Sequence, residues 1–257
     1  MENFGIVTGA GSGIGRAIAL ELARSGVACA LVGRTLSKLR EVARSARQYG
    51  VESVPIVVDL RNLDALDSFM RQLGPLESRV TVLVHNAAVM RVTRVEDVSV
   101  EEFGAMLTLN LLAPFILTQR LLPQLCASKG QIVFINSSIV NHPSEGTTEY
   151  AASKHALKGF ADGLRAEVNA SGVRVISVYP GRTATPLQAS LSKIEGRIYL
   201  PETLLQPEDV ASVVVNALLL PRTGEVTDIM IRAASKSMTQ HSIIPDPNVL
   251  EAFVGKP

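Results

Sequence analysis

The sequence predicts an α/β fold in which a parallel sheet is flanked by helices on both faces. Seven short apolar runs are continuous rather than alternating in polarity, as expected of strands buried on both faces. Longer helical patterns separate these runs, which is the βαβ alternation of a doubly wound sheet. With 257 residues, 47% of them hydrophobic, the chain is long enough for one domain over 1–257.

The predicted strands account for most of the chain's apolar runs. In order they are FGIVTG (4–9), ACALVG (28–33), VPIVVD (54–59), VTVLVH (80–85), QIVFIN (131–136), VRVISVY (173–179) and VTDIMI (226–231). The least patterned stretch is about 183–208, although apolar residues within it favour a short amphipathic helix, namely Leu187, Leu191, Ile194 and Ile198. A polar tail follows from about 233 to 257.

Composition excludes several classes of function. The net charge is +1 with acidic and basic residues interspersed, so we expect no nucleic-acid partner. Cys29 and Cys126 lie far apart in apolar contexts, which predicts a reduced, cytoplasmic protein. The first strand begins within four residues, leaving no room for a signal peptide. No apolar run reaches the ~20 residues of a membrane span, so no membrane is expected, and no metal site is predicted.

The segment TGAGSGIGRA (8–17) joins the first strand to the first helix. Gly9, Gly13 and Gly15 follow a G-x-x-x-G-x-G spacing. Glycines allow the tight turns that bring a backbone close to a pyrophosphate, and the helix N-terminus offers N–H groups to the phosphates. A methyltransferase also carries a glycine loop after its first strand, so this segment leaves the cofactor open.

The end of the second strand bears on the type of cofactor. NAD-binding folds often place Asp or Glu there for the ribose 2′-hydroxyl, whereas this chain has Gly33 and Arg34. A guanidinium binds a 2′-phosphate, which favours NADP over NAD. The alternative is that Arg34 is a solvated arginine in a loop that also holds Lys38 and Arg40.

The segment EYAASKHAL (149–157) places Tyr150 and Lys154 one turn apart on a helix. The helix is predicted from an apolar stripe formed by Ala152, Ala156, Leu157, Phe160, Leu164 and Val168, with Gly172 as its stop. A free phenol has a pKa of about 10, and a nearby ammonium lowers it. The pair is therefore a candidate acid/base, the alternative being an ordinary pair on an exposed helix.

Taken together, these motifs resemble the short-chain dehydrogenase/reductase family from Thr8 to about Ile231. The matching motifs, in order, are TGAGSGIG (8–15), HNAA (85–88), Asn110, INSS (135–138), YAASK (150–154) and PGRTAT (180–185). The resemblance implies a Rossmann fold and an NADP-preferring carbonyl reductase. It also implies a homodimer or homotetramer and a substrate lid at about 183–208.

The resemblance implies a role for each residue of a tetrad. Tyr150 resembles the acid/base, Lys154 the residue that lowers its pKa and holds the nicotinamide ribose, Ser137 the group that binds the substrate oxygen, and Asn110 part of a proton relay. Locally, Pro114 removes the helical partner of the Asn110 carbonyl, which could then hold a water; the alternative is a tolerated asparagine before a kink.

The resemblance also implies a set of cofactor contacts. They are Gly9, Ser12, Gly13, Ile14, Gly15, Arg34, Asp59, Leu60, Asn86, Ala87, Tyr150, Lys154, Pro180, Gly181 and Thr183. His85 and Ala88 depart from the usual N-N-A-G, and His85 is predicted to be a core histidine. The C-terminal segment lacks the family's glycine-rich ending, which puts the usual tetramer packing in doubt.

The substrate pocket is predicted to be largely apolar, lined by Met90, Ile139, Val140, Pro143, Leu187 and Leu191. A medium-sized hydrophobic ketone, aldehyde or alcohol fits such a lining. Arg91, Arg182 and Arg197 either contact a carboxylate or phosphate or are solvated, and His142 lies near the substrate entrance. The alternative function is a cofactor sensor without turnover; a methyltransferase would not need Ser137, Tyr150 and Lys154 together.

Overall fold

The computed structural model describes residues 3–234 and contains one seven-stranded sheet in the order β3-β2-β1-β4-β5-β6-β7, with every neighbouring pair parallel. The strands are β1 (Phe4–Thr8), β2 (Ala28–Gly33), β3 (Val54–Val57), β4 (Val80–His85), β5 (Gln131–Ile135), β6 (Arg174–Pro180) and β7 (Asp228–Ile231). All seven predicted strands are confirmed. The strand order reverses between β1 and β4, and that switch point is where such sheets bind ligands.

Helices connect the strands on both faces of the sheet. They are α1 (Gly13–Arg24), α2 (Leu36–Arg47), α3 (Ala65–Leu73), α4 (Val100–Leu107), α5 (Ala113–Ala127), α6 (Thr148–Val168), α7 (Pro186–Ile194) and α8 (Pro207–Leu218). A π-helical turn, Thr108–Leu112, joins α4 to α5 without a break. A capping box at Ser99 and Glu102 fixes the start of α4.

Two apolar layers form the core, one on each face of the sheet. Successive residues of β1 show the division, since Ile6 belongs to one layer and Val7 to the other. α1, α2 and α8 contribute to the layer of Val7, whereas α3, α5 and α6 contribute to the layer of Ile6. β1, β5 and β6 are buried along their whole length, which is why their sequences are continuous apolar runs.

The helical run Val100–Ala127 corrects one expectation. With 28 residues it is long and apolar enough to cross a membrane, judged by length and composition alone, so the expectation that no run reaches this length is wrong. Its Leu117, Leu121 and Leu125 are fully buried against the sheet at a spacing of four residues. One side of the run therefore packs in the core, whereas only 28% of its most apolar window is buried and its outer side exposes Leu112 and Phe115.

The helix α6 confirms the predicted placement of Tyr150 and Lys154, both of which are buried. The predicted apolar stripe is only partly right, because Ala152 and Ala156 are exposed, whereas Leu157 lies in the core. The helix buries the face that carries Tyr150 and Lys154 because that face lies against the carboxyl end of β5, where Lys154 contacts Ile135.

The lid segment (183–208) contains the predicted amphipathic helix as α7, although the helix ends at Ile194 and leaves Ile198 81% exposed. Its two ends meet at one point. Thr183 and Leu205 form a parallel bridge, and the Ala184 N–H donates to the Leu205 carbonyl at 2.8 Å. The two ends of the lid segment are therefore held together. From residue 235 onward, the predicted tail lies outside the described residues.

Candidate active site

A cavity of about 1160 Å³ runs along the carboxyl ends of the strands. Its first part, the β2 end, is lined by the loops after β1, β2 and β3. Its second part, the β5 end, is lined by the loops after β4, β5 and β6 and by the lid segment. Typical ligand pockets measure roughly 300–1,000 Å³, so the cavity has room for a cofactor and a substrate together.

Close packing explains the glycines of the first loop. Gly9 and Gly13 have φ values of +67° and +53°, which glycine adopts without strain. A Cβ on Gly15 would lie 2.4 Å from Nδ2 of Asn86 and 2.5 Å from the Gly9 carbonyl oxygen. Gly15 therefore packs behind the loop and does not line the cavity, whereas Gly9 and Gly13 line it.

The start of α1 fits the phosphates of a dinucleotide. Ser12 is the N-cap residue but makes no side-chain cap, and the first turn carries no acidic residue. The first N–H groups of a helix have no partner within it, and here Gly13 and Ile14 of that turn line the cavity. Uncapped donors and the positive end of the helix dipole are thus available to an anionic group.

Thr8 ties the loop after β4 to the end of β1. Its hydroxyl donates to the Val84 carbonyl and accepts from the backbone N–H groups of Asn86 and Ala87, at 2.9 and 3.0 Å. The Asn86 side chain donates back to the Thr8 carbonyl at 2.9 Å. The sequence prediction named Asn86 and Ala87 but missed Thr8, whose signal is a polar residue at the end of a buried strand.

The β2 end of the cavity carries an excess of positive charge. Arg61 holds Asp59 through two side-chain nitrogens, with Nη2 at 2.5 Å from Oδ2, and this pairing holds the pKa of Asp59 below its usual value. Arg34 and Lys38 also line this end and make no ion pair within residues 3–234. Leu60 completes the wall.

Ser137, Tyr150 and Lys154 meet at the β5 end, and we refer to them as the Ser–Tyr–Lys group. The Ser137 side chain lies close enough to Tyr150 to lower its pKa, and Nζ of Lys154 lies 5.8 Å from the centre of the Tyr150 ring. Nζ of Lys154 donates to the Ile135 carbonyl at 2.9 Å. These contacts place one hydroxyl, one phenol and one amine on the same wall.

Asn136, which the sequence prediction did not select, holds this group together. Its Nδ2 donates to the Lys154 carbonyl at 3.2 Å, and its Oδ1 accepts from the Ser137 N–H at 2.9 Å. The end of β5 is thereby fixed to α6. Pro180, Gly181 and Thr183 line the cavity opposite, at the end of β6 and the base of the lid.

Burial changes the acid–base properties of the group. It raises the pKa of Tyr150 to about 12, partly opposed by the hydrogen bond with Ser137, and it lowers the pKa of Lys154 to about 7. The pKa of Tyr150 thus lies above its usual value because burial has the largest effect on it, and the lowering of this pKa by Lys154 stays a prediction. Both groups are removed from water, so each favours its neutral form. At neutral pH the phenol keeps its proton and is a proton donor.

Asn110 lies in the π-helical turn, 1% exposed and behind the cavity wall. Its Oδ1 accepts from the Val89 N–H at 2.9 Å, and its Nδ2 donates to the Val89 carbonyl and to Oγ of Ser153. The wide turn precedes Pro114, whose ring would clash with the carbonyl four residues earlier in an α-helix. The water on the Asn110 carbonyl stays a prediction.

His85 is a core histidine, as predicted. Its Nε2 lies 2.8 Å from the Thr118 hydroxyl, and its ring stacks on Phe134 with centroids 4.9 Å apart. Burial lowers the pKa of His85 to about 3, so the ring is neutral at physiological pH. His142, by contrast, is exposed and lines the cavity.

The substrate side of the cavity is more polar than predicted. Met90, Ile139, Leu187 and Leu191 line it, but Val140 and Pro143 do not. Charged residues that join the lining include Arg94, Glu145, Arg182, Glu195 and Arg197. Arg91 does not line the cavity and instead pairs with Glu102 at the surface.

A parallel sheet of this order, with an uncapped helix N-terminus beside a glycine loop at its switch point, defines a dinucleotide-binding protein. The sequence profile described as short chain dehydrogenase matches residues 4–196. The chain therefore belongs to the short-chain dehydrogenase family, and it is an oxidoreductase of that family.

Curated relatives match over nearly the whole chain. An uncharacterized oxidoreductase of Staphylococcus aureus (strain N315) is 30% identical over 232 residues, which are 90% of this chain and 97% of the relative. An uncharacterized short-chain type dehydrogenase/reductase of Sinorhizobium fredii is 33% identical over 231 residues, covering 88% of this chain and 89% of the relative. These relatives support the family and leave the substrate open.

Solved structures with bound cofactor are also similar. An alcohol dehydrogenase from the archaeon Thermococcus sibiricus, complexed with 5-hydroxy-NADP, superposes with a TM-score of 0.83 at 27% identity, covering 92% of this chain and 99% of that one. A metagenomic short-chain oxidoreductase in complex with NADP gives a TM-score of 0.78 at 29% identity, covering 91% and 98%. These neighbours support the binding of a nicotinamide cofactor.

Proposed function

We propose that the protein is an NADP-dependent carbonyl reductase, or secondary alcohol dehydrogenase, with Tyr150 as its acid/base. The observation that carries this proposal is the Ser–Tyr–Lys group in the cavity wall, with a phenol that holds its proton at neutral pH. Reduction consumes a proton at the substrate oxygen, and Tyr150 can supply it because its phenol is protonated.

Each residue of the group has its own task in this proposal. The bound nicotinamide supplies or accepts the hydride. The Ser137 hydroxyl, which lies beside Tyr150, orients the substrate oxygen toward the phenol. Lys154, held by the Ile135 carbonyl, becomes charged when an anionic cofactor lies nearby and then eases proton transfer at Tyr150. Asn110 positions the loop after β4 against α6 through Val89 and Ser153.

The choice of NADP over NAD rests on the β2 end of the cavity. Arg34 and Lys38 are two cations without an ion pair there, whereas the carboxylate of Asp59 is held by Arg61. A 2′-phosphate adds negative charge that the two cations neutralise, and an NAD ribose has no such group. The neighbours solved with NADP support the same preference.

A fluorescence titration with NADPH and NADH tests the cofactor assignment. We expect the wild type to bind NADPH more tightly than NADH. Arg34→Gln should weaken NADPH binding by about tenfold, since a charge-assisted hydrogen bond commonly contributes that much. Arg34→Gln should leave NADH binding unchanged.

Arg40→Gln is the matched control, because Arg40 is exposed on α2, the helix that follows Arg34, and does not line the cavity. It should leave the affinity for both cofactors unchanged. Tighter binding of NADH by the wild type would contradict the assignment, and binding of neither cofactor would contradict the proposed function. NADPH binding without turnover of any carbonyl would favour the cofactor sensor.

We also propose a cytoplasmic homodimer or homotetramer. The outer side of the α4–α5 run exposes Leu112 and Phe115, and Phe115 stacks edge-on with Phe160 of α6. Closed symmetry is common among soluble assemblies, and a two-fold axis would let this surface pair with itself. Light scattering after size-exclusion chromatography should give a multiple of the 27.5 kDa chain mass. A monomer would contradict the proposal.

A further inference from the structure

Three charged side chains form a cluster at the β5 end of the cavity, which we call the lid cluster: Arg182, Glu195 and Arg197. Arg182 holds Glu195 through two parallel hydrogen bonds, Nη1 to Oε2 at 2.7 Å and Nη2 to Oε1 at 2.8 Å. Nε of Arg197 lies 3.6 Å from the same Oε2. Arg182 belongs to the loop after β6, and the other two follow α7, so the cluster joins the lid to the sheet.

The charges of the lid cluster do not cancel. Glu195 is only 14% exposed and has both oxygens engaged by Arg182, which neutralises it. Arg197 remains as the excess cation. The Arg197 side chain is 56% exposed, and apart from its 3.6 Å contact with Glu195 it makes no ion pair or hydrogen bond within the described part of the chain, so it can also bind a ligand. Two cations and one anion give the cluster a net charge of +1.

The other arginine at this end of the cavity is already committed to carboxylates. Arg94 lies 2.5 Å from Glu96 and 3.5 Å from Glu145, so that cluster has more negative than positive charge. Lys154 is buried against the Ile135 carbonyl. Among the residues described at the β5 end, Arg197 is therefore the cation best placed to meet an anionic ligand.

Two leucines that line the same cavity as the Ser–Tyr–Lys group and the lid cluster suggest the shape of that ligand. Leu187 and Leu191 lie on α7, which ends at Ile194 just before Glu195 and Arg197. We propose that Arg197 binds an anionic group of the substrate, so that the enzyme acts on carbonyls or alcohols that carry a carboxylate or a phosphate on a short carbon chain. This assignment rests on the proposed reductase function.

Arg182 has a different task in the same cluster. By neutralising Glu195 it prevents the carboxylate from repelling an anionic substrate, and its two parallel hydrogen bonds fix the position from which Arg197 projects. Substitution of Arg197 leaves this bidentate pair in place. The anion subsite can therefore be removed without opening the lid.

Paired substrates that differ only in charge test the subsite. We would compare pyruvate, acetoacetate and levulinate with their methyl esters, and dihydroxyacetone phosphate with dihydroxyacetone, following NADPH consumption. In the wild type, kcat/KM for at least one anion should exceed that of its neutral partner by about tenfold or more. The acid and phosphate arms distinguish the two kinds of anion.

The variants Arg197→Gln and Lys193→Gln separate the subsite from a general effect of charge. Lys193 is exposed near the end of α7 and does not line the cavity, so its substitution removes the same charge from a position four residues before Arg197. Arg197→Gln should abolish the preference for anions while leaving kcat/KM for the esters unchanged. Lys193→Gln should change neither. An equal loss with acids and esters in Arg197→Gln would mean a structural role only and would overturn the assignment, as would a wild-type preference for the neutral partners.

A binding measurement keeps the subsite testable if no compound is turned over, a result that would count against the reductase function itself. The same acids and phosphates would be titrated into wild type and Arg197→Gln saturated with NADPH, with the fluorescence of the bound NADPH as the readout. Tighter binding of an anion to the wild type supports the subsite. Equal binding by the two proteins, or binding by neither, overturns it.

Discussion

Replacing Lys154 by methionine should stabilise the fold in a way that depends on pH. Burial lowers the pKa of Lys154 from 10.5 to about 7. At 1.36 kcal/mol per pKa unit, the folded protein holds a protonated Lys154 at a cost of about 4–5 kcal/mol. Methionine has a similar length and carries no charge, so it avoids this cost, although it leaves the Ile135 carbonyl without its donor. We expect a net gain of about 1–3 kcal/mol at pH 7.

The sign of the pH dependence follows from proton linkage. Between about pH 7 and 10.5 the unfolded chain keeps a proton on Lys154 that the folded protein has released, so the wild type gains stability as the pH rises. From pH 7 to pH 9 this gain is about 2 kcal/mol, and the methionine variant lacks it. The advantage of the variant should therefore shrink by that amount.

Urea unfolding of both proteins at pH 7 and pH 9 measures this difference, because the contributions of other titrating groups cancel between wild type and variant. Lys158→Met is the matched control: Lys158 lies one turn further along α6, is 42% exposed and pairs with Asp162. It should leave the pH response unchanged. If wild type and Lys154→Met respond equally to pH, Lys154 keeps an ordinary pKa in the folded protein and the argument from burial is refuted.

Two further predictions concern the tyrosine and the glycine loop. Tyr150→Phe should lower kcat by about 10²–10⁴-fold, the usual worth of general acid catalysis, and leave the NADPH affinity unchanged in a fluorescence titration. Gly15→Ala should destabilise the protein by about 1–3 kcal/mol in urea unfolding, because its Cβ would lie 2.4 Å from Asn86. Gly159→Ala, where a Cβ has open space, should instead stabilise it by about 0.5–1 kcal/mol.

Each of these predictions has an outcome that would contradict it. A Tyr150→Phe variant with undiminished turnover would remove the phenol from the mechanism, whereas lost NADPH binding would assign it to the cofactor site. Similar stability changes in Gly15→Ala and Gly159→Ala would mean that the first loop tolerates a side chain and is not closely packed.

The strands and the placement of Tyr150 and Lys154 could be predicted because they depend on local pattern. A strand buried on both faces needs a continuous apolar run, and β1, β5 and β6 have one. A spacing of four residues puts two side chains on one helix face wherever the helix forms. His85 was predictable for the same reason, since it ends an apolar strand.

Properties that depend on distant residues could not be predicted in this way. The pKa of Tyr150 was expected to fall beside Lys154 and instead rises, because burial acts on both groups and is a property of the packed fold. The substrate pocket was expected to be largely apolar, but in its lining Arg182 pairs with Glu195, which lies 13 residues further along the chain. Nothing in the spacing of these two residues indicates that contact.

The sequence by itself determined the doubly wound class, the glycine loop and the spacing of Tyr150 and Lys154, because each depends on residue type and short-range spacing, whereas Ser137 was selected through the resemblance to the family. Only the tertiary structure decided how Thr8 holds the loop after β4, how Asn136 holds the Ser–Tyr–Lys group, and which residues line the cavity. Burial and ion pairing are set by the approach of segments far apart in the chain. The charge of Arg197 is in excess because the fold brings Arg182 to Glu195, where it makes two hydrogen bonds to the carboxylate.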